Sequence, residues 1–291
     1  MISKGIILAG GKGTRLGALT KAVNKQLLPI HDKPLIFYPL SILMLSGIKD
    51  ILIIVNPGQI KNFKALLGNG SRFGIKIKYK EQKKPNGLPE AFKIGKYHIG
   101  KSNVALILGD NFFYGQGLSK ILEKSKTFSN GAMVFVKQVK NPQDYGVALI
   151  KKNKINKIIE KPKKHISDYA ITGLYYFDNT VVNFAKKLKP SKRGETEITD
   201  LIKFYKKNDT LSYEIIGRGA LWSDAGKIED LVNTGNYVSS SEKIQQLKIG
   251  CLEEISFSKK WIGRKQLKES IVFYDNSDYA NYLRKIMKQT I

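Results

Sequence analysis

The amino-acid sequence predicts an α/β fold in which a Rossmann-like, mostly parallel central sheet is flanked by helices. The chain has 291 residues, 42% of them hydrophobic, which is enough to bury one large core and to add a helical appendage. In the first half, apolar β-branched runs alternate with segments whose apolar residues recur at helical spacing. In the second half, strand-like runs follow one another across short turns, which indicates an antiparallel or mixed portion.

The first half of the chain predicts parallel strands joined by helices. The strand-like runs are GIILA (5–9), DILIIV (50–55), IKIKY (75–79) and VALILGD (104–110). The helix-like segments between them are 34–47, 58–70 and 88–100. Pro39 interrupts the first helical pattern, so we expect a kink or a short break there. The resulting β-α-β-α-β-α-β order implies a doubly wound sheet.

The second half predicts a group of strands followed mainly by helices. The expected strands are 131–139, 146–150, 154–162, 169–178, 211–217 and 220–226. The expected helices are 179–188, 196–207 and 227–248, and the remaining residues to 291 are expected to be mainly helical.

The composition excludes several classes of protein. Because the sequence contains no run of about 18 apolar residues, we expect no membrane span and no membrane partner. The single cysteine, Cys251, excludes an internal disulfide framework and a cysteine-based metal site. The first residues lack the pattern of a secretory leader, so we expect a cytoplasmic location.

The net charge of +26, from 50 Lys and Arg against 24 Asp and Glu, raises the question of a polyanionic partner. The lysines are scattered in pairs, and they do not collect in one tail or interleave with an aromatic stripe. We therefore interpret them as solvated surface residues and expect no nucleic-acid partner.

The segment LAGGKGTRL (8–16) follows the first predicted strand and has the composition of an anion-binding loop. Glycines allow a sharp turn that presents successive N–H groups at the carboxyl end of a strand. The spacing fits neither Gly-x-x-x-x-Gly-Lys-Ser/Thr nor Gly-x-Gly-x-x-Gly, because Leu16 stands at the last glycine position. A phosphate cradle with its own arginine, Arg15, remains, and the alternative is an ordinary turn with a surface arginine.

Charged residues that follow other strands extend this hypothesis. Asp110 and Asp224 each end a predicted strand, and two such carboxylates could share one Mg²⁺ with phosphate oxygens. Lys25 could reach the same phosphates, although the chain has many lysines. Asp110 could also be a helix cap. Glu160 and Lys161 combine an acceptor for sugar hydroxyls with a cation for a phosphate.

The histidines His31, His98 and His165 show no metal spacing and no serine partner, so we interpret them as structural or surface residues. Cys251 is expected to be a small core residue. The remaining pattern of glycines, cations and carboxylates indicates phosphoryl-group chemistry of a nucleotide.

At this point the sequence resembles a known family. GIILAGGKGTRL, KQLLP, LGDN, DYGVA, EKP, YAITGLYYFD, LKPSKRGETEITD and EISFSKKWI occur in this order. They are similar to motifs of the glucose-1-phosphate thymidylyltransferases, a branch of the sugar nucleotidyltransferases, from about residue 3 to the C-terminus. The resemblance implies that residues 1–240 form a nucleotidyltransferase domain, with a nucleotide part (1–130) and a mixed-strand sugar-phosphate part (131–226). It also implies a C-terminal helical extension, 241–291.

The resemblance also implies roles for particular residues. Those implied to bind the nucleotide are Leu8, Gly10, Gly11, Gly13, Thr14, Arg15, Gln26, Gln82, Pro85, Gly87 and Asp110. Those implied to bind the sugar phosphate are Asn111, Tyr145, Gly146, Glu160, Lys161, Thr172 and Arg193. Asp110 and Asp224 would hold Mg²⁺, and the residues implied in catalysis are Arg15, Lys25, Asp110 and Lys161.

The implied reaction is Mg²⁺-assisted transfer from dTTP to α-D-glucose 1-phosphate, which gives dTDP-glucose and pyrophosphate as a first step towards dTDP-L-rhamnose or related deoxysugars. A sugar-1-phosphate pyrophosphorylase that prefers UTP stays open, because one methyl group on the base is worth only about 1–3 kcal/mol. A non-catalytic nucleotide-sugar sensor is a further alternative. The family is commonly homotetrameric, so self-association is expected.

Several positions depart from the family pattern or concern regulation. Asn86 and Ala225 stand where the family usually has Asp and Thr, which puts base selectivity and local geometry in doubt. Many members carry a second, inhibitory dTDP-rhamnose site, and the residues that match parts of it are Tyr114, Gly115, Arg218, Lys248, Glu254 and Ile255. Ser119, Lys120 and Ser258 do not match it, and Lys259 could replace a missing cation.

Overall fold

A nine-stranded mixed sheet forms the centre of the molecule in the computed structural model, which describes residues 1–11 and 13–288. The strands are β1 Ile2–Ala9, β2 Pro29–Ile30, β3 Lys33–Pro34, β4 Asp50–Val55, β5 Lys76–Glu81, β6 Asn103–Leu108, β7 Phe112–Gly115, β8 Ala132–Gln138, β9 Gly146–Lys151, β10 Lys154–Glu160, β11 Tyr169–Phe177, β12 Leu211–Ile215 and β13 Ala220–Ser223. The helices are α1 Phe37–Leu45, α2 Ile60–Leu67, α3 Glu90–Ile94, α4 Lys96–Ile99, α5 Leu118–Leu122, α6 Lys124–Thr127, α7 Val181–Lys187, α8 Ile198–Lys207, α9 Ile228–Gln245, α10 Leu252–Ser258, α11 Arg264–Phe273 and α12 Asp278–Lys288.

The parallel part of the sheet confirms the predicted fold class. Strand β1 pairs in parallel with β4 and β6, and β4 pairs in parallel with β5. Strands β1, β4 and β6 are largely buried on both faces because helices cover both sides of the sheet, as in other doubly wound folds, whereas the edge strand β5 is mostly exposed. Their carboxyl ends therefore meet at one edge, where ligands bind in such sheets.

The second half of the sheet is mixed, as predicted. Strand β11 runs antiparallel to β6, β8 and β9, β10 continues antiparallel from β9, and β12 is parallel to β8. This arrangement places β9, β10 and β11 beside the carboxyl ends of the parallel strands. The mixed portion thus extends the edge that carries the candidate site.

A separate two-stranded ribbon was not predicted. Strand β7 pairs antiparallel with β13, outside the main sheet, and Phe112 stands opposite Ser223. Because β7 begins two residues after Asp110 and β13 ends one residue before Asp224, the ribbon brings two distant parts of the chain together. The predicted run 220–226 is therefore shorter than expected and belongs to this ribbon, not to the central sheet.

Two helical segments differ from their predicted form. Helix α1 runs uninterrupted from Phe37, so Pro39 lies in its first turn, where its missing N–H has no intrahelical role. The expected kink at Pro39 was therefore wrong. The predicted helix 88–100 is divided into α3 and α4 at Gly95, where a Cβ atom would lie 2.7 Å from the Ile6 Cδ1 atom.

The C-terminal part is helical, as predicted, for the residues that the structure describes; positions 289–291 lie outside them. Helix α10 packs against α1, and α11 and α12 pack against each other. The proposed division at residue 240 stays a prediction. Across residues 1–11 and 13–288, no helix combines the length and the apolar character that crossing a bilayer requires.

Candidate active site

The glycine loop begins where β1 ends and leads into a 3₁₀ segment, Thr14–Thr20. Gly13 has a φ of 62°, and a Cβ atom there would lie 2.8 Å from Thr20 Cγ2, so this position requires glycine. The Thr20 hydroxyl donates to the Gly13 carbonyl at 2.9 Å. At Gly10, a Cβ atom would lie 2.6 Å from Gln82 Oε1. Close packing at Gly10 and Gly13 therefore leaves little room for a side chain at either position.

Lys25 reaches the end of the neighbouring strand β6. The Asn24 side chain caps the short 3₁₀ segment Lys25–Leu27 by accepting from the Gln26 N–H at 2.9 Å. The Lys25 side chain is only 5% exposed, and its Nζ lies 2.7 Å from Asp110 Oδ2. A buried ammonium is thus held against a carboxylate at the carboxyl edge of the sheet, where both were predicted.

Asn111 holds the other oxygen of Asp110. Its Nδ2 donates to Asp110 Oδ1 at 2.9 Å, while its Oδ1 accepts from the Gly173 N–H at 3.0 Å and from Trp222 Nε1 at 2.7 Å. Asn111 is 1% exposed. Because most of its hydrogen-bonding capacity is used inside the protein, its geometry is that of a residue that orients Asp110 and Trp222.

 Asp224 lies near Asp110. In the chain, 113 residues lie between these two carboxylates, and the β7–β13 ribbon closes this separation. Burial raises the pKa of Asp224, the nearby Asp110 raises it further, and Lys25 opposes the shift. Two carboxylates therefore face each other closely enough to repel, which is the arrangement that a divalent cation relieves. A Cβ atom at Gly226 would lie 3.0 Å from Arg15 Nη2 and 3.1 Å from Asp224 Oδ2, so Arg15 reaches the same place.

Two adjoining cavities open at this edge of the sheet. The first, of about 460 Å³, is lined by every residue that was implied to bind the nucleotide, and also by Lys25. The second, of about 470 Å³, lies over the mixed strands. Residues that line both cavities are Arg15, Leu88, Leu108, Asp110 and Glu195. Arg15 and Asp110 therefore stand at the junction of two cavities, where groups bound in each would meet.

The second cavity collects the residues that were implied to bind the sugar phosphate, with one exception. Those that line it are Asn111, Tyr145, Gly146, Glu160, Lys161 and Arg193. Thr172 does not line either cavity: it is fully buried, and its hydroxyl donates to the Phe135 carbonyl at 2.9 Å. The strand alternation of β11 explains this, because the side chain of Thr172 points away from the face that its neighbour Ile171 presents to the cavity.

Charge in the second cavity is balanced around Glu160. Burial raises the pKa of this carboxyl, and Glu197 raises it further. Arg193 Nη1 lies 3.6 Å from Glu160 Oε1 and 3.5 Å from Glu197 Oε1. Lys161 has a φ of 40°, in the left-handed region, and its side chain is exposed. The cavity therefore offers a carboxylate acceptor beside two cations, as a sugar phosphate requires.

Hydrogen bonds join two segments that line different cavities. The Thr196 N–H and hydroxyl both donate to the Asn86 carbonyl, at 2.9 and 2.8 Å. Gly87 has a φ of 103°, and a Cβ atom there would lie 2.0 Å from the Thr196 carbonyl oxygen, so only glycine fits. The segment with Gln82 and Gly87 is thereby attached to the segment that carries Arg193.

Sequence reasoning missed Trp222 and Glu195, which line these cavities. The Trp222 ring lies 4.9 Å from the Tyr145 ring, centroid to centroid, and closes one side of the second cavity. Its position two residues before Asp224 was a usable signal, because alternate residues of a strand share a face. No local pattern marks Glu195, since its place depends on the attachment of its loop to Asn86.

The residues matched to a regulatory site lie partly in one region. The Tyr114 hydroxyl donates to Gln245 Oε1 at 2.6 Å, and Glu254 accepts from the Tyr282 hydroxyl at 2.8 Å. Burial raises the pKa of Tyr114, and the nearby carboxylates of Glu242 and Glu254 raise it further. Gly115 packs on the Gly219 carbonyl. Whether Tyr114, Gly115, Arg218, Lys248, Glu254 and Ile255 bind a ligand stays a prediction.

His31, Asp32 and Glu242 are the one group in the described part of the chain with possible metal-ligand atoms within 4.8 Å of one another. Lys33 Nζ lies 3.0 Å from Glu242 Oε1, Lys248 Nζ lies 3.5 Å from Glu242 Oε2, and both ammonium groups also bind Asp32. Two lysines already neutralise the two carboxylates. We therefore interpret the group as a structural ion-pair network that joins β3 to the end of α9.

The structure is a doubly wound α/β fold with two adjoining cavities at the carboxyl edge of its sheet, the edge at which ligands bind in this class of protein. The model of the family "Nucleotidyl transferase" matches residues 4–241. A glucose-1-phosphate thymidylyltransferase from Neisseria meningitidis serogroup A is 49% identical over 98% of this chain and 100% of its own length. One from Mycobacterium tuberculosis is 42% identical over 98% of this chain and 99% of its own.

A solved structure supports the same relationship. The structure of a putative glucose-1-phosphate thymidylyltransferase from Bacillus anthracis, in complex with a sucrose, has a TM-score of 0.75 at 38% identity, and covers 81% of this chain and 94% of that one. The chain belongs to the nucleotidyl transferase family and, within it, to the glucose-1-phosphate thymidylyltransferases. It is therefore an enzyme, as the sequence predicted, and the sensor alternative loses its support.

Proposed function

We propose that the enzyme transfers a thymidylyl group from dTTP to α-D-glucose 1-phosphate and releases pyrophosphate. The observation that carries this proposal is the junction of the two cavities at Arg15 and Asp110. A nucleotide in the first cavity and a sugar phosphate in the second would bring their phosphates together there. The names of the relatives at 49% and 42% identity support the choice of substrates.

In the first cavity, which we assign to the nucleotide, Arg15 and Lys25 would bind the triphosphate. The backbone of Gly10, Gly11 and Gly13 lines the cavity beside Arg15 and Lys25. During transfer, negative charge builds up on the β-phosphate as the bond between the α-phosphorus and the bridging oxygen breaks. We assign Arg15 and Lys25 to the stabilisation of this charge, because preorganised cations in a partly buried site stabilise developing charge strongly.

The second cavity, which we call the sugar-phosphate cavity, would orient glucose 1-phosphate for the reaction. A phosphate oxygen of glucose 1-phosphate forms the new bond to the α-phosphorus, and it is already ionised at neutral pH. The reaction therefore requires no general base, which agrees with the absence of a histidine among the residues that line either cavity. Lys161 and Arg193 would hold the sugar phosphate, and Glu160 and Tyr145 would line the sugar.

The residues present fit a magnesium ion. Asp110 and Asp224 offer carboxylate oxygens; burial raises the pKa of Asp224 and the nearby Asp110 raises it further, so a divalent cation would relieve the repulsion between the two carboxylates. When bound, Mg²⁺ supplies charge neutralisation to the phosphates. The protein's own contribution is to hold Asp110 by Lys25 and Asn111, so that the carboxylate keeps one orientation.

We also propose that the protein self-associates as a homotetramer in the cytoplasm and that residues around Tyr114, Lys248 and Glu254 form an inhibitory site. Sedimentation velocity would measure the first property. Inhibition by dTDP-rhamnose that disappears in Lys248→Ala, with unchanged activity in its absence, would support the second. An enzyme that dTDP-rhamnose does not inhibit would remove the regulatory proposal and leave the catalytic one intact.

A pyrophosphate-release assay tests the proposed reaction. The wild-type enzyme is mixed with glucose 1-phosphate and either dTTP or UTP at equal concentration, and the nucleotide sugar is identified by mass spectrometry. We expect a higher kcat/KM with dTTP and formation of dTDP-glucose. A higher kcat/KM with UTP would establish the alternative, a UTP-preferring pyrophosphorylase. If neither dTTP nor UTP gives pyrophosphate release, both the proposed reaction and the UTP alternative are overturned.

A further inference from the structure

We propose that Lys137 is a positioning residue that holds the β7–β13 ribbon, and through it Trp222, in place beside the sugar-phosphate cavity. The consequence for catalysis rests on the proposed function, whereas the structural part does not. Lys137 lies near the end of β8, in the central sheet, and its Nζ donates to the Gly217 carbonyl at 2.7 Å and to the Ala220 carbonyl at 2.8 Å.

These two carbonyls bracket the turn that starts the ribbon. Ala220 is the first residue of β13 and stands opposite Gly115. The Gln116 N–H, which follows β7, donates at 2.9 Å to the Gly219 carbonyl of this turn. An ammonium group has three donors and no acceptor, so one lysine can satisfy two carbonyls at once. Lys137 therefore ties the ribbon to the central sheet at the turn.

The ribbon is held to the central sheet at a second point. Trp222 Nε1 donates to Asn111 Oδ1, which also accepts from the Gly173 N–H of β11. Between the two points the register of β13 is set, and this register determines where Trp222 and Asp224 lie. Asp224 lies four residue steps beyond Ala220, or about 13 Å along an extended chain, so Lys137 acts without contact to the reacting atoms.

Loss of the Lys137 side chain would remove both of these hydrogen bonds. Partial burial lowers the pKa of Lys137, which shows that its ammonium is removed from bulk water in order to bind these carbonyls. Without the donors, both carbonyls lose a partner and the turn is free to shift. A displacement of about 1 Å at Trp222 or Asp224 is enough to change substrate affinity and turnover severely.

Intrinsic fluorescence tests the structural part of the inference without substrate or metal. The chain has two tryptophans, so Trp261→Phe leaves Trp222 as the only one. In that background, Lys137→Met keeps the length of the side chain and removes its donors. We expect acrylamide to quench Trp222 about twofold more strongly in Lys137→Met, and Lys137→Arg, which keeps donors, to restore the wild-type value. The control is Lys154→Met in strand β10. It removes an exposed ion pair with Asp209 and should leave the quenching of Trp222 unchanged.

Calorimetry in EDTA tests the consequence for the site. We expect Lys137→Met to bind glucose 1-phosphate about tenfold more weakly, while its affinity for dTTP stays within about twofold of wild type, because Gly226 is the one described residue after β13 that lines the first cavity, and segments outside the ribbon supply most of the rest. Unchanged quenching of Trp222 in Lys137→Met, or failure of Lys137→Arg to restore it, would overturn the inference. If Lys137→Met does not fold, Lys137→Gln is judged by the same criteria. A wild-type enzyme that does not bind glucose 1-phosphate would contradict the proposed function, and the quenching result would still decide the role of Lys137.

Discussion

Lys25 and Asp110 form an ion pair with an Nζ–Oδ2 distance of 2.7 Å, at the junction of the two cavities. The pair joins the segment after the glycine loop to the end of β6. The Lys25 side chain is 5% exposed, whereas that of Asp110 is 27% exposed. The carboxylate is therefore fixed by a buried cation and still presents part of its surface to a ligand.

The first prediction concerns this pair. Lys25→Met and Asp110→Ala should each lower kcat by about 10²–10³-fold, because each removes a preorganised charge from the place where charge develops. Steady-state pyrophosphate release measures the effect, and circular dichroism checks that the variants are folded. Lys61→Met, an exposed lysine of α2, is the control. Near-normal turnover in Asp110→Ala would remove Asp110 from the catalytic site.

A second prediction follows from the position of Asn111. Asn111→Ala leaves the Gly173 N–H and Trp222 Nε1 without an acceptor, and each unpaired buried donor costs about 1–3 kcal/mol. We expect a lower free energy of unfolding in urea together with a lower kcat. The exposed Asn130→Ala should be neutral in both measurements. A stable variant with normal turnover would show that the hydrogen bonds of Asn111 do not hold the site together.

The third prediction separates the two cavities. Lys161→Ala should reduce turnover by orders of magnitude and raise KM for glucose 1-phosphate, with little change in KM for dTTP, because Lys161 lines the second cavity only. Alanine bears about the same left-handed backbone cost as lysine at a φ of 40°, so the fold should persist. Lys163→Ala is the matched control. An equal rise in both KM values would argue against a specific contact with the sugar phosphate.

The fourth prediction concerns pH. Glu253 is fully buried, accepts from the Tyr279 hydroxyl at 2.7 Å, and burial raises its pKa above the ordinary value of 4.5. A carboxyl whose pKa is higher in the folded state stabilises the fold below its unfolded pKa, and this stabilisation is lost as the pH rises through the folded pKa. Glu253→Gln cannot ionise, so its free energy of unfolding relative to wild type should increase from pH 4.5 upward.

Urea unfolding of the wild type and of Glu253→Gln at several pH values measures this difference. Its slope cannot exceed about 1.4 kcal/mol per pH unit, the value for one proton. Glu229→Gln, at an exposed position in the first turn of α9, should follow the wild type at every pH. Parallel curves for the wild type and Glu253→Gln would show that Glu253 does not titrate differently in the folded state.

Much of the fold follows from local patterns in the sequence. The parallel strands, the mixed strands and the C-terminal helices were predicted because alternation and helical spacing of apolar residues report which faces are buried. The short elements were missed: β2, β3 and β7 have only two to four residues, too few to show a period. Pro39 was misinterpreted because a helix start was placed a few residues too early, and in the first turn proline breaks no hydrogen bond.

The sequence by itself predicted the chemical groups of the candidate site: the glycine loop, Arg15, Lys25, Asp110, Lys161 and Asp224. Only the tertiary structure decided how they meet. The β7–β13 ribbon brings Asp224 to Asp110. The Thr196–Asn86 hydrogen bonds attach the segment that carries Arg193 to the segment that carries Gly87. The alternation of β11 keeps Thr172 out of the second cavity. The physical reason is that local spacing sets which face of an element is buried, whereas pairing between distant segments depends on the packing of the whole chain.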